Sequence, residues 1–153
     1  MHQAGVQMNL SEIRTTLRDR IIEELEYTEN EAAFDVLNIP VTLEDESFHI
    51  NVPSGSKKSF NMHDLVIDNT VTITLWRRGF RQPVEAFDAG LEAIFELITC
   101  LSDVVFRTSP PFRNVTFENY QIEPIANDNE NTVKMTINFT VQVSMAVTVQ
   151  PTT

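Results

Sequence analysis

Seventeen residues near the C-terminus alternate without a break. Val133, Met135, Ile137, Phe139, Val141, Val143, Met145, Val147 and Val149 occupy successive odd positions, with Lys134, Thr136, Asn138, Thr140, Gln142, Ser144, Ala146 and Thr148 between them. Side chains of an extended chain point alternately to opposite faces, so this segment dictates a strand with one apolar and one largely polar face. At about 3.4 Å per residue it spans roughly 54 Å, whereas a compact domain of this length is about 40 Å across. Either the strand bends sharply, or it runs past its own core and leaves apolar surface for another subunit to cover.

The rest of the chain supplies partners for that strand. Asn9 and Glu12 fit a capping box, and Leu10, Ile13, Leu17, Ile21 and Leu25 recur at three or four residues, which predicts a helix over about 10–27. Glu29 to Asn38 adds a further helical turn that Pro40 ends. Phe48, Ile50 and Val52 alternate with polar residues as a short strand. Pro53-Ser54-Gly55-Ser56-Lys57-Lys58-Ser59 reads as an exposed loop. Val71, Ile73 and Leu75 form another strand, followed by a turn over Arg77 to Gln82. Pro83 suits a helix start, because its missing N–H has no helical partner to lose there.

The second helix, about 84–102, shows three faces at 100° per residue. Phe87, Leu91, Ile94, Phe95, Ile98 and Leu101 form the expected core stripe. Glu85, Asp88, Glu92 and Glu96 form an acidic stripe, and Ala86, Ala89, Ala93 and Cys100 a small-residue face. Val115 and Phe117 share one face of the next strand while Tyr120 and Ile122 share the other. That phase slip calls for a β-bulge near Glu118-Asn119. Asn127 to Asn131 reads as the turn of a long C-terminal hairpin. The expected fold is α+β: a mainly antiparallel sheet of four or five strands with two helices on one side. The chain is a single domain over 1–153, with flexible ends at 1–8 and 150–153.

Composition narrows the function. Hydrophobic residues at 42% and charged residues at 22% suit a globular domain. Eleven Lys and Arg face 22 Asp and Glu, for a net charge of −11. Such a charge disfavours wrapping nucleic acid through phosphate contacts. No apolar run approaches the roughly 18 residues of a membrane span, and the N-terminus lacks a secretory pattern, so a cytosolic setting is expected. Between Ile21 and Ile50 lie Glu23, Glu24, Glu26, Glu29, Glu31, Asp35, Glu44, Asp45 and Glu46, with no Lys or Arg. The acidic excess serves either solubility or a surface that must not hold DNA.

No motif for chemistry emerges. A nucleophilic Cys100/His63/Asp64 set is the one catalytic arrangement the residue types allow. Against it, Cys100 near a helix C-terminus sits where the dipole disfavours thiolate, and a packed cysteine is the expectation. Zinc has too few ligands, and neither Glu44-Asp45-Glu46 nor Asp128-x-Glu130 follows a calcium-loop spacing. Four scattered glycines give no phosphate loop, and no cofactor is expected. Arg77, Arg78 and Arg81, beside Trp76 and Phe80, either grip phosphate or form ion pairs with an acidic neighbour, and Glu23, Glu24 or Glu26 across a subunit boundary are the expected partners.

The order helix, strand, basic segment, strand, helix and long C-terminal hairpin resembles the tail terminator (tail-to-head joining) proteins of long-tailed bacteriophages. The resemblance rests on Ser11-Glu12-Ile13-Arg14-x-x-Leu17-Arg18-Asp19, on Val71-Thr72-Ile73-Thr74-Leu75 with the helix Phe87-x-x-x-Leu91-x-x-Ile94-Phe95-x-Leu97-Ile98, and on Thr136-Ile137-Asn138-Phe139-Thr140-Val141-Gln142-Val143. It covers about residues 9–149 and is one of pattern, length and order, without a diagnostic motif. It implies a non-enzymatic virion protein that forms a hexameric ring, caps the tail tube, stops its growth and docks it to the head connector or another neck protein. Neighbouring roles, another neck or head-tail connector protein, stay open beside it, as does a soluble dimeric α+β binding domain. In a ring, Arg77, Arg78, Arg81, Lys57, Lys58, Met145 and Val147 are candidate interface residues. Either Asp88, Glu92 and Glu96 or Glu44, Asp45 and Glu46 face a channel through which DNA slides without specific binding.

Overall fold

A computed structural model describes residues 10–30, 44–61, 63–127 and 130–146. The fold is α+β. The elements run α1 (Ser11–Leu25), β1 (Thr28–Glu29), β2 (Ser47–Asn61), β3 (Asp64–Phe80), α2 (Pro83–Leu101), α3 (Val104–Arg107), β4 (Phe112–Asn127) and β5 (Glu130–Ala146). The five strands form one sheet in the order β1-β2-β3-β5-β4. The sheet is mixed, since β1 pairs parallel to β2 while the other neighbours are antiparallel. Three helices accompany it where two are expected from sequence, α3 being a single short turn.

β5 lies between β3 and β4. Its odd residues Met135, Ile137, Val141 and Val143 are fully buried, with Phe139 and Val133 nearly so. Through Val143 the alternating face is therefore intramolecular core, and Met145 is half-buried. Val147 and Val149 lie outside the described residues. β4 pairs with β5 along its length, and the register shifts between Phe117 and Asn119, the position where the apolar phase slips. Val115 and Phe117 thus share the core face with Tyr120 and Ile122.

On the same face, α1 buries Ile13, Leu17 and Ile21 completely, one side chain per turn. The helix ends at Leu25, where Glu26 takes a left-handed conformation at φ 60°. Glu29 is in a strand rather than the helical turn expected from sequence, and its carboxylate holds Arg14. The remainder of that turn, and Asn9 of the capping box, lie outside the described residues.

Two other expectations fail. Pro53 to Ser59 is not a loop but the second half of β2, and Arg77 to Phe80 belongs to β3, so the turn is only Arg81-Gln82. The β2 segment does not alternate in sequence because nothing buries one face of it, Pro53 to Asn61 being exposed throughout; Arg77 to Phe80 is too short and basic to show a period, although Phe80 packs against the core. The backbone ladder to β3 defines this strand. Gly55 fits it because a Cβ there would lie 2.6 Å from Oδ1 of Asn69, a buried side chain whose Nδ2 donates to the Val141 carbonyl.

Candidate functional site

Helix α2 departs most from its sequence pattern. Its expected core stripe is half wrong. Phe87 is 44% exposed and Phe95 is 70% exposed, while Ala86, Gly90, Ala93, Ile94, Leu97, Cys100 and Leu101 are buried. The small face lies on the sheet because the sheet comes close. A Cβ on Gly90 would stand 2.6 Å from Cδ1 of Ile122, 3.2 Å from Sδ of Met135 and 3.3 Å from Cγ1 of Val133. Small residues let the helix backbone settle on the strands, and Val84, Phe87 and Phe95 are left outside. Val84, Phe87 and Phe95, with half-buried Leu91, then form an exposed apolar stripe along α2. Val104 and Val105 of α3, 61% and 71% exposed, extend the apolar surface.

Beside this stripe stand Glu85, Asp88, Glu92 and Glu96, all exposed, with no cation within 4.0 Å among the described residues. The other acidic candidates are differently placed. Asp45 accepts from Arg77 Nε at 3.0 Å and from the Arg78 backbone N–H at 2.9 Å, and Glu46 stands 3.9 Å from Arg77. Glu44 contributes its carbonyl to Ser47 Oγ at 2.7 Å.

The basic group is brought together, but onto carboxylates of the same chain. Arg77 serves Asp45 and lies 5.2 Å from the Phe80 ring, and Arg78 donates to Glu130 at 2.6 Å. Arg81 is exposed in the turn. Glu23, Glu24 and Glu26 are exposed on and just after α1, with Glu24 held by Arg20 at 3.1 Å. Next to Arg77, Tyr27 is buried, and that burial pushes its pKa up to about 12.

Lys57 and Lys58 occupy the exposed end of β2 and make no ion pair among the described residues. Phe60 is in register with Leu65, and Leu65 with Met145, so the three side chains share one face at the far end of the sheet. Phe60 is 55% exposed. This apolar tip escaped the sequence reading, which treats the segment as a loop. Its signal was Phe60 standing among small polar and basic residues.

At the opposite end of the sheet, the first turn of α2 and the β4–β5 hairpin enclose an apolar cavity of about 540 Å³. Pro83, Val84, Phe87, Pro124, Ile125 and Val133 line it. A second cavity, about 570 Å³, lies between the start of α1 and β2, beside Asn69 and Gly55.

Cys100 is buried in the last turn of α2, and burial pushes its thiol up to about 11, so it is protonated at neutral pH. Its carbonyl accepts from Arg20 at 3.2 Å. His63 and Asp64 stand exposed at the β2–β3 turn. Among the described residues no group of three His, Cys, Asp or Glu is placed to hold a metal ion, and no helix is long and apolar enough to cross a membrane. No protein-family model matches the chain, and no curated protein matches it.

Proposed function

We propose that this chain is a structural virion protein of a long-tailed bacteriophage, a tail terminator. It forms a homo-oligomeric ring that caps the tail tube and joins it to the head connector or a neck protein. It would sit in the virion's neck and be assembled in the host cytoplasm, acting without catalytic residues or a cofactor.

One observation carries the reading: α2 buries Ile94, Leu97 and Leu101 with its small residues on the sheet but leaves Val84, Phe87 and Phe95 on its solvent side. Val84, Phe87 and Phe95 are exposed along one stripe. The exposed stripe adds nothing to the monomer's own core, whereas an assembly covers it on contact. The uncompensated acids Asp88, Glu92 and Glu96 beside it, in a chain of net charge −11, support a role in which DNA passes without sticking. The set Glu44, Asp45 and Glu46 offers less field, because the single charge of Arg77 lies against two of its carboxylates.

The test is electron microscopy of uncapped tail tubes incubated with the purified protein. A ring of density at one tube end is expected. Binding along the tube wall, or none, overturns the proposal. The apolar cavity at the start of α2 favours a second reading, a soluble dimeric binding domain. A mass fixed at two copies at every concentration would support that one instead.

A further inference from the structure

We infer that the cavity between α1 and β2 is a binding site for a small, neutral, largely apolar molecule that donates one hydrogen bond to Asn69. The odd residues Ile67, Val71, Ile73 and Leu75 of β3 pack with the core. Asn69 interrupts that apolar row and is 3% exposed. It lies between Gly55 of β2 and Val141 of β5. Its Nδ2 donates to the Val141 carbonyl at 3.3 Å, an acceptor that fixes which end of the carboxamide is nitrogen. Oδ1 therefore turns to β2, where a Cβ on Gly55 would meet it at 2.6 Å. No donor reaches Oδ1 among the described residues. A buried amide oxygen without a donor is costly, and valine would continue the row without that cost. A donor arriving from the cavity accounts for the oxygen.

Asn69 and Gly55 form part of the wall of this cavity of about 570 Å³, and Leu10, Ile50, Val52 and Ile67 supply its apolar part. The volume is in the range of small-molecule sites, where a few polar groups on an apolar wall set the ligand's orientation. The missing side chain at Gly55 keeps Oδ1 within reach. Two cations stand near. Arg14, on the α1 side of the wall, already holds Glu29, and Lys57, in register with Ile67, is exposed to water. A carboxylate ligand would compete with Glu29 for Arg14, so a neutral molecule is the better match. The site is separate from the α2 stripe and does not depend on the ring reading.

The experiment uses the full-length chain, labelled for amide NMR, and a matched pair of probes, indole and 1-methylindole. The two share one apolar ring system, and only indole has an N–H. Indole should shift the signals of Gly55, Ile67 and Asn69. The methylated probe should bind about 10-fold more weakly, the effect of one lost hydrogen bond to a buried acceptor. Asn69→Val removes the acceptor and should bring both probes to the same weak affinity. Its thermal midpoint should hold, since valine suits a buried strand position. Gly55→Ala sets a methyl group against Oδ1 and should abolish the preference for indole. Gly55 is exposed and has no left-handed φ, so this second variant should fold.

Equal affinity of the two probes for the wild-type chain overturns the inference. So do shifts confined to the other cavity, around Val84, Phe87 and Ile125, or no shift at millimolar indole. A preference for indole that survives Asn69→Val puts the acceptor elsewhere and overturns it too. Should Asn69→Val fail to fold, the wild-type probe pair and Gly55→Ala still decide. The ring reading is tested by native mass, and neither outcome settles the other.

Discussion

The orientation of α2 is open to a direct test, because Phe95 and Leu97 are two residues apart and about 200° apart around the helix. The sequence puts Phe95 in the core, whereas in the structure it is 70% exposed and Leu97 is fully buried. With about 30% of roughly 200 Å² covered, truncating Phe95 gives up about 60 Å², or about 1.5 kcal/mol at 25 cal/mol per Å². The higher helix propensity of alanine returns about 0.5 kcal/mol, so Phe95→Ala should cost about 1 kcal/mol. Leu97→Ala removes a fully enclosed side chain and leaves a cavity, which costs about 2–5 kcal/mol. For a domain of this size the gap amounts to several degrees of thermal midpoint, about 2–4 °C per kcal/mol. Urea unfolding of dilute protein gives both values from the shift in midpoint at constant slope. A Phe95→Ala cost above that of Leu97→Ala would refute the orientation, and with it the exposed stripe on which the assembly argument stands.

Arg77→Glu should lower stability by about 1–2 kcal/mol, because it breaks the contacts to Asp45 and Glu46 and sets like charges together, and chemical denaturation measures it. His49 is held below its ordinary pKa by burial and by the neighbouring Arg14 charge, with Glu29 opposing. Its contribution is therefore present above the unfolded value near 6.5 and fades as pH falls, so the thermal midpoint should drop between about pH 7 and 5, with a smaller drop in His49→Gln. An equal drop in both proteins would remove His49 as the cause. Native Cys100 should resist a thiol reagent at pH 8 and react promptly in denaturant, and fast labelling of the folded protein would contradict its burial.

Much of the architecture is legible wherever one face of an element is buried and the other wet. Ile13, Leu17 and Ile21 mark α1, the odd residues of β5 mark the central strand, and the shift from Phe117 to Tyr120 marks the bulge. Legibility fails where that asymmetry is missing. Pro53 to Asn61 is bare on both faces, so its pairing to β3 leaves no period in the sequence. The parallel contact of β1 spans two residues, too few to carry any pattern. In α2 the period is present but the face is misassigned. Side-chain size is a poor guide to burial there, because at Gly90, against Ile122 and Met135, the helix is pressed so close that no side chain fits beneath it. The candidate arginines were recognisable as ion-pairing residues. Their partners Asp45 and Glu130 were not, because strand register rather than sequence distance brings them together.

Closed assembly of identical copies shows in the native mass of the purified chain. One copy weighs 17.4 kDa, so the six-membered ring that the resemblance implies weighs six times that, about 104 kDa. This species should grow at the expense of the monomer as concentration rises. Only one or two copies at every concentration, or an open ladder of masses that never closes, would contradict it.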